Sequence, residues 1–207
     1  MRDGPGRHWQ PPLAMLATFV GMILAMRALG RIWWCECGGW ALWKSDVWSS
    51  HCSQHLADPY TITHFSHGLL FWCLFAVVFD RWAPRIGARP AGVARRFTVP
   101  WRLVTAVFAA AVWEVVENSP WVIERYRTVT MSLDYLGDSV VNAIGDVLAC
   151  VAGFFTARWL GVTRTLILFV VLELALLLAI RDNLSLNVLM LTWPIEAVRS
   201  WQTAGHV

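Results

Sequence analysis

The sequence predicts an all-α protein: a polytopic transmembrane helical bundle of about five spans with an interfacial helix at its C-terminus. Three observations carry this. The 207 residues are 57% hydrophobic and only 15% charged, with a mean hydropathy of +0.50, which is too apolar for an ordinary soluble domain. Five stretches, roughly 11–29, 61–80, 101–119, 137–158 and 163–180, supply the run of about 20 apolar residues that a bilayer core about 30 Å thick asks of a helix. The alternating pattern of a membrane barrel is absent. With no repeat and no long linker, 1–207 reads as a single integral membrane domain.

The first span follows MRDGPGRHWQPP, a basic opening of the kind that begins a signal peptide. Its apolar run ends in Gly-Arg-Ile-Trp-Trp without a small-x-small cleavage site, so it reads as a retained span. Pro11 and Pro100 stand at the entrances of the first and third spans, where a missing N–H costs nothing, and Pro120 is expected to close the third. Leu184 to Thr192 is too short to cross a bilayer. In the following WPIEAVRSWQ, Pro194 suits a first helical position, and Ile195, Val198 and Trp201 share one side, as in an interfacial helix.

Sixteen of the seventeen basic residues are arginine and the net charge is +3. They cluster between the apolar runs, which points to anionic lipid headgroups and topology and not to nucleic acid. Arg81, Arg85, Arg89, Arg95, Arg96 and Arg102 surround the second connection, and Arg158 and Arg164 the turn before the fifth span. With Arg2 and Arg7 these ten mark the cytoplasmic side of a bacterial inner membrane. The N-terminus is then cytoplasmic, and the 30–60 loop and the C-terminus are periplasmic. Trp82, Trp101 and Trp159 fall at the cytoplasmic boundary and Trp33, Trp34, Trp121 and Trp193 at the other, as an aromatic belt would.

Ionisable groups inside spans demand partners or a wet cavity. Glu114, Glu117 and Asn118 are spaced i, i+3 and i+4 and share a helical face. Asp134, Asp138, Asn142 and Asp146 recur every four residues, and His64 and His67 stand one turn apart at the start of the second span. All three groups fall at the periplasmic end of the predicted bundle, so they are expected to meet in one polar site. His64, His67, Glu114, Glu117 and Asp138 are the acid–base candidates. Arg125 and Arg127, beside them in ERYRTVTMSLD, could hold an anionic lipid or envelope headgroup with Asn118, Asn142 and Asp134, or could simply neutralise the acids. The same imidazoles and carboxylates suit a divalent zinc, manganese or iron ion, although no named zinc signature such as H-E-x-x-H is present. Asp146, and with it Glu173 in the fifth span, are compatible with a proton relay, though Glu173 is expected to pair with a neighbouring helix.

Cys73 and Cys150 lie within spans, whereas Cys35, Cys37 and Cys52 belong to the 30–60 loop. A disulfide from Cys52 to Cys35 or Cys37 is expected in an oxidising compartment. The alternative is a thiolate and histidine metal site of Cys35, Cys37, Cys52 and His55. Serine chemistry is not indicated, since there is no G-x-S-x-G elbow.

SQHLADPYTITHFSHGLLFW, WEVVENSPWVIERYR and SLDYLGDSVVNAIGDVLAC together resemble an uncharacterised family of bacterial, mostly alphaproteobacterial, inner-membrane proteins, over about Cys37 to Arg158. The resemblance implies a multi-pass inner-membrane protein and carries no catalytic residue with it. More distantly, the order Glu117, Arg125, Asp138, Asn142 is similar to VanZ-like proteins, a family linked to glycopeptide tolerance. Three functions follow as expectations: binding or modifying an envelope lipid or headgroup, ion-coupled transport, or a structural accessory role.

Overall fold

The computed structural model describes residues 9–82 and 97–205 and is helical throughout, with no strand among them. Arg2, Arg7, Arg85, Arg89, Arg95 and Arg96 lie outside the described residues, as does the side chain of Trp82. Among the described residues five helices are long and apolar enough to span a membrane. They are α1 (Gln10–Ala28), α2 (Thr61–Phe75, continued by π-helical turns over Ala76–Trp82), α3 (Val99–Glu117), α5 (Val140–Leu160) and α6 (Val162–Ile180). A short helix, α4 (Pro120–Val129), separates α3 from α5, and α7 (Leu184–Thr192) and α8 (Glu196–Thr203) close the chain.

The helix boundaries follow local chemistry. Pro11 and Pro100 sit in the first turns of α1 and α3. Asp58 holds the turn that leads into α2: its Oδ1 accepts from the Tyr60 and Thr61 amides at 2.8 and 3.3 Å, while Thr61 Oγ1 accepts from the Asp58 amide at 3.0 Å. Pro120 opens α4 and does not close α3, which ends three residues earlier at Glu117. Ser119 is the N-cap of α4, with its hydroxyl accepting from the Val122 amide. Ser139 caps α5 in the same way through Asn142, so the fourth span begins at Val140 and not at 137. Asp134 and Asp138 therefore precede the helix, and only Asn142 and Asp146 keep the expected four-residue spacing on it.

The interior is built on the contact of α2 with α5, where two glycines remove the usual spacing between helices. A Cβ on Gly68 would stand 2.0 Å from the Cys150 carbonyl oxygen, and one on Gly153 would stand 2.0 Å from that of Phe65. Small residues that let backbones touch are the ordinary means of helix association in lipid. Around this contact Leu69, Val107, Val147, Cys150 and Phe154 are fully buried, and α1 closes the core through Met22 and Met26. The most apolar windows of α2, α3 and α5 are 44%, 44% and 50% buried, against 17% for α1 and 22% for α6. The central three helices thus carry the core, and α1 and α6 turn leucines and valines outward.

The 30–60 loop, α4, α7 and α8 all gather at one end of the bundle. The loop is tied to the entrance of α5: the Val140 amide donates to the Ile32 carbonyl at 2.8 Å, the Ser139 amide to Ser53 at 2.9 Å, and Gln54 Nε2 to Gly137 at 2.6 Å. Glu173 accepts from the amides of Leu184 and Ser185 at 3.1 and 2.9 Å and so caps α7; its partner is the chain's own return segment. Gln202 of α8 donates to the Arg181 carbonyl and to Asp182 Oδ1. Helix α8 starts at Glu196, two residues after Pro194, and leaves Ile195 and Trp201 exposed. At the opposite end Arg102 forms a bidentate pair with Asp80 at 2.6 and 2.8 Å, which ties α3 to the end of α2.

Candidate functional site

At the loop end, α2, α3 and α5 enclose a cavity of about 410 Å³. His64 enters it from the first turn of α2, Glu117 from the last turn of α3, Asp146 from the second turn of α5 and Asp138 from the segment just before α5. The closeness of α2 to α5 at Gly68 and Gly153 brings His64 to Asp146, with Nε2 3.9 Å from Oδ2. On its other side, His64 Nδ1 lies 3.2 Å from Glu114 Oε1, behind the cavity wall. The expected meeting of the three polar groups is therefore present in the geometry. His67 stands edge-on to His64 with ring centroids 5.4 Å apart and also lines the cavity.

The acids divide into two kinds. Asp138 is pinned: Asn118 Nδ2 donates to its Oδ2 at 2.6 Å, Tyr135 donates to its Oδ1 at 2.9 Å, and its amide donates to Asn118 Oδ1 at 2.7 Å. Burial raises its carboxyl to about 6, against the pull of the Asn118 and Tyr135 hydrogen bonds. By contrast, both oxygens of Glu114, Oε2 of Glu117, Oδ1 of Asp146 and Nδ1 of His64 are buried without a hydrogen bond among the described residues. Buried polar atoms are rarely left so, and those that are ask for a ligand, an ion or a proton.

Three of the remaining sequence candidates, Arg125, Arg127 and Asn142, do not line the cavity. Arg125 donates through Nε and Nη2 to the Leu191 carbonyl, 3.1 Å from each, and so satisfies the end of α7. Arg127 is exposed on α4. Neither lines the cavity, so the arginine clamp for an anionic headgroup is not formed. Both lie on the helix begun at Pro120, where Arg125 reaches α7 and Arg127 faces outward. Asn142 is buried on α5 with its Nδ2 unpaired, and Asp134 is exposed at the cavity's rim.

Residues 26–204 match the family described as a protein of unknown function, DUF2585. The chain belongs to that family. UPF0314 proteins are similar to it over most of their length. That of Sinorhizobium fredii is 43% identical over 94% of this chain and 91% of its own. That of Paracoccus denitrificans is 44% identical over 91% of each, and that of Novosphingobium aromaticivorans 40% identical over 93% and 92%. No solved structure matches the chain.

The DUF2585 chain carries only three tyrosines, and all three, Tyr60, Tyr126 and Tyr135, line this cavity. A tyrosine near a membrane boundary is ordinary, so position in the sequence alone does not mark them. Their scarcity in so aromatic a chain was the available signal. Burial pushes all three phenols well up, and for Tyr126 the Glu117 carboxylate adds to it. Tyr60 donates to Asp182 at 3.2 Å and Tyr126 to Asn187 at 3.0 Å, so the return segment and α7 are fastened to the cavity wall. In this DUF2585 chain one atom each from His64, Glu114 and Glu117 lies within 4.8 Å of the others, a nitrogen and oxygen set of the kind that zinc, manganese or iron accepts.

The loop cysteines also differ from expectation. No disulfide joins them among the described residues. Cys52 lines the cavity, with its sulfur 3.9 Å from Asp58 Oδ2, while Cys35 and Cys37 lie elsewhere in the loop. The turn that carries His51 and His55 to one side carries Cys52 to the other.

Proposed function

We propose that this protein lies in the bacterial inner membrane with its N-terminus cytoplasmic, and that it takes the polar end of an envelope amphiphile into the cavity and acts on it by acid–base chemistry. The observation that carries this reading is the cavity's composition. Val47, Phe71, Leu184 and Val188 line it together with His64, Glu117, Asp138 and Asp146, with acid and imidazole atoms left unpaired. An amphiphile satisfies both parts at once. His64 is the proton carrier and Glu114 its partner, Glu117 is the second acid or base, and Asp138, fixed by Asn118 and Tyr135, orients the polar group. His67 screens His64, and Asn142 backs the wall.

With no arginine or lysine lining the cavity among the described residues, a neutral or cationic polar end fits better than a bare phosphate. A divalent cation on His64, Glu114 and Glu117 would let an anionic headgroup bind as well, by supplying positive charge to its oxygens. Arg158 and Arg164, at the ends of α5 and α6 remote from the cavity, support a periplasmic cavity and C-terminus. Against a carrier stands the layer below Asp146, where Leu69, Val107, Cys150 and Phe154 are buried and apolar. A purely structural role fits poorly with so many unpaired buried atoms.

The test is a lipid profile, by mass spectrometry, of membranes from the encoding bacterium with the chain deleted and then restored. One amphiphile should change in abundance on deletion and recover with the wild-type chain but not with His64→Ala or Glu114→Gln. Identical profiles in all strains would overturn the reading.

A further inference from the structure

Away from the cavity, Cys35, Cys37, His51 and His55 each present one ligand atom within 4.8 Å of the others. We propose that these four side chains form a zinc(II) site that fastens the loop roofing the cavity. The donor set is two sulfurs and two ring nitrogens, the composition of tetrahedral structural zinc. Zn–S and Zn–N lengths of about 2.3 and 2.0 Å put tetrahedral sulfur and nitrogen ligands about 3.5 Å apart. Cys35 Sγ and His51 Nδ1 are already 3.3 Å apart, so closing the site takes only small movements of the other two.

The second observation is His55. It is 2% exposed, and neither ring nitrogen has a hydrogen-bond partner. A buried imidazole needs at least one of its nitrogens satisfied, and a metal bond does this without any polar neighbour. Trp34 closes the apolar side, its ring edge-on to His55 with centroids 6.2 Å apart and its Nε1 donating to the Gly39 carbonyl. Cys37 is exposed, which leaves the ion a way in.

The backbone is shaped for the purpose. Gly38 has φ +72°, and its amide donates to the Cys35 carbonyl, folding Cys35 and Cys37 to the same side. Ser53, at φ 59°, is held in this unusual conformation by Asp58 Oδ2, which accepts from its amide at 2.8 Å and its hydroxyl at 3.3 Å. That turn brings His51 and His55 together, with ring centroids 5.7 Å apart. Binding releases the two thiol protons to solvent, and the two thiolates neutralise the ion, so the site needs no further counter-charge. One ligand pair adjoins Ile32 and Trp33, which bond to the start of α5, and the other flanks Cys52 and Ser53 of the cavity wall. The ion would join these two strands of the loop.

The experiment is metal analysis of the full chain purified in detergent at neutral pH. Wild type should hold one zinc per chain, as should Cys52→Ser and the double variant His64→Ala/Glu114→Gln; Cys35→Ser/Cys37→Ser and His55→Ala should hold none. Cobalt(II) exchanged into the wild-type chain should give thiolate charge-transfer absorption and intense tetrahedral visible bands, a readout that does not depend on any variant folding. Cys37 should become reactive toward a maleimide only after chelation. A metal-free wild type, zinc unaltered by the cysteine pair, or a Cys35–Cys37 disulfide in the purified chain would each overturn the proposal.

Discussion

His64 Nδ1 and Glu114 Oε1 lie 3.2 Å apart where α2 meets α3, both residues are buried, and neither atom completes a hydrogen bond. Such a pair costs the fold desolvation that its imperfect geometry does not return. Glu114→Gln keeps the side chain's size and removes the ionisable carboxyl. It is expected to hold or raise the melting temperature in detergent, by about 2–4 °C for each kcal/mol gained, while abolishing the lipid phenotype. Thermal unfolding followed by tryptophan fluorescence is the check, and a fall of several degrees would mean the pair is structural.

Asn118 behaves in the opposite way, because all of its polar atoms are used. Asn118→Ala deprives the buried Asp138 of a donor and is expected to cost about 3 kcal/mol. Asp138 also makes stability depend on pH. Its folded value of about 6 lies above its ordinary 3.8, so the folded state holds the proton more tightly than the unfolded state. The stability that Asp138 contributes is then fullest below about pH 4 and is lost as pH rises through about 6. Asp138→Asn should flatten that decline relative to wild type in the same buffers, and identical slopes would count against the assignment.

The α2–α5 contact leaves no room for a methyl group at Gly68, whose Cβ would meet backbone and not a movable side chain. Gly68→Ala is expected to destabilise the protein by about 3 kcal/mol and to separate His64 from Asp146. Stability and lipid binding should therefore fall together. A normal melting temperature in this variant would show that the helices are not in backbone contact.

Glu173 is predicted to be a capping group and nothing more. Glu173→Gln weakens its bonds to the Leu184 and Ser185 amides and should cost about 1 kcal/mol. Hydrogen exchange should accelerate over 184–192 alone, and lipid profiles should match wild type. A lost phenotype with unchanged exchange would instead make Glu173 part of a proton path.

The five spans were legible because bilayer thickness dictates their length, and the placement of His64 and Glu114 follows once their spans alternate in direction. What was not legible depended on single-residue boundaries. Reading Ser119-Pro120 as a stop concealed α4, although a serine N-cap followed by proline is a helix-start signal. Only the helix start at Pro120 shows that Arg125 serves α7. The spacing of Asp138 fits a helical stripe, but Ser139 takes the N-cap and leaves Asp138 in the connecting segment, where Asn118 reaches it. For Cys52, Ser53's positive φ decides the side on which the sulfur falls, and no pattern in the sequence announces a left-handed serine.

The most direct test of the proposed function is native mass spectrometry of the chain released gently from its own membranes. Wild type is expected to carry one class of amphiphile, Val188→Trp, which fills the cavity from α7, to release it, and Glu114→Gln to retain it unmodified. A wild-type chain that is free of any amphiphile, or that holds the same lipids as Val188→Trp, would contradict the proposed function.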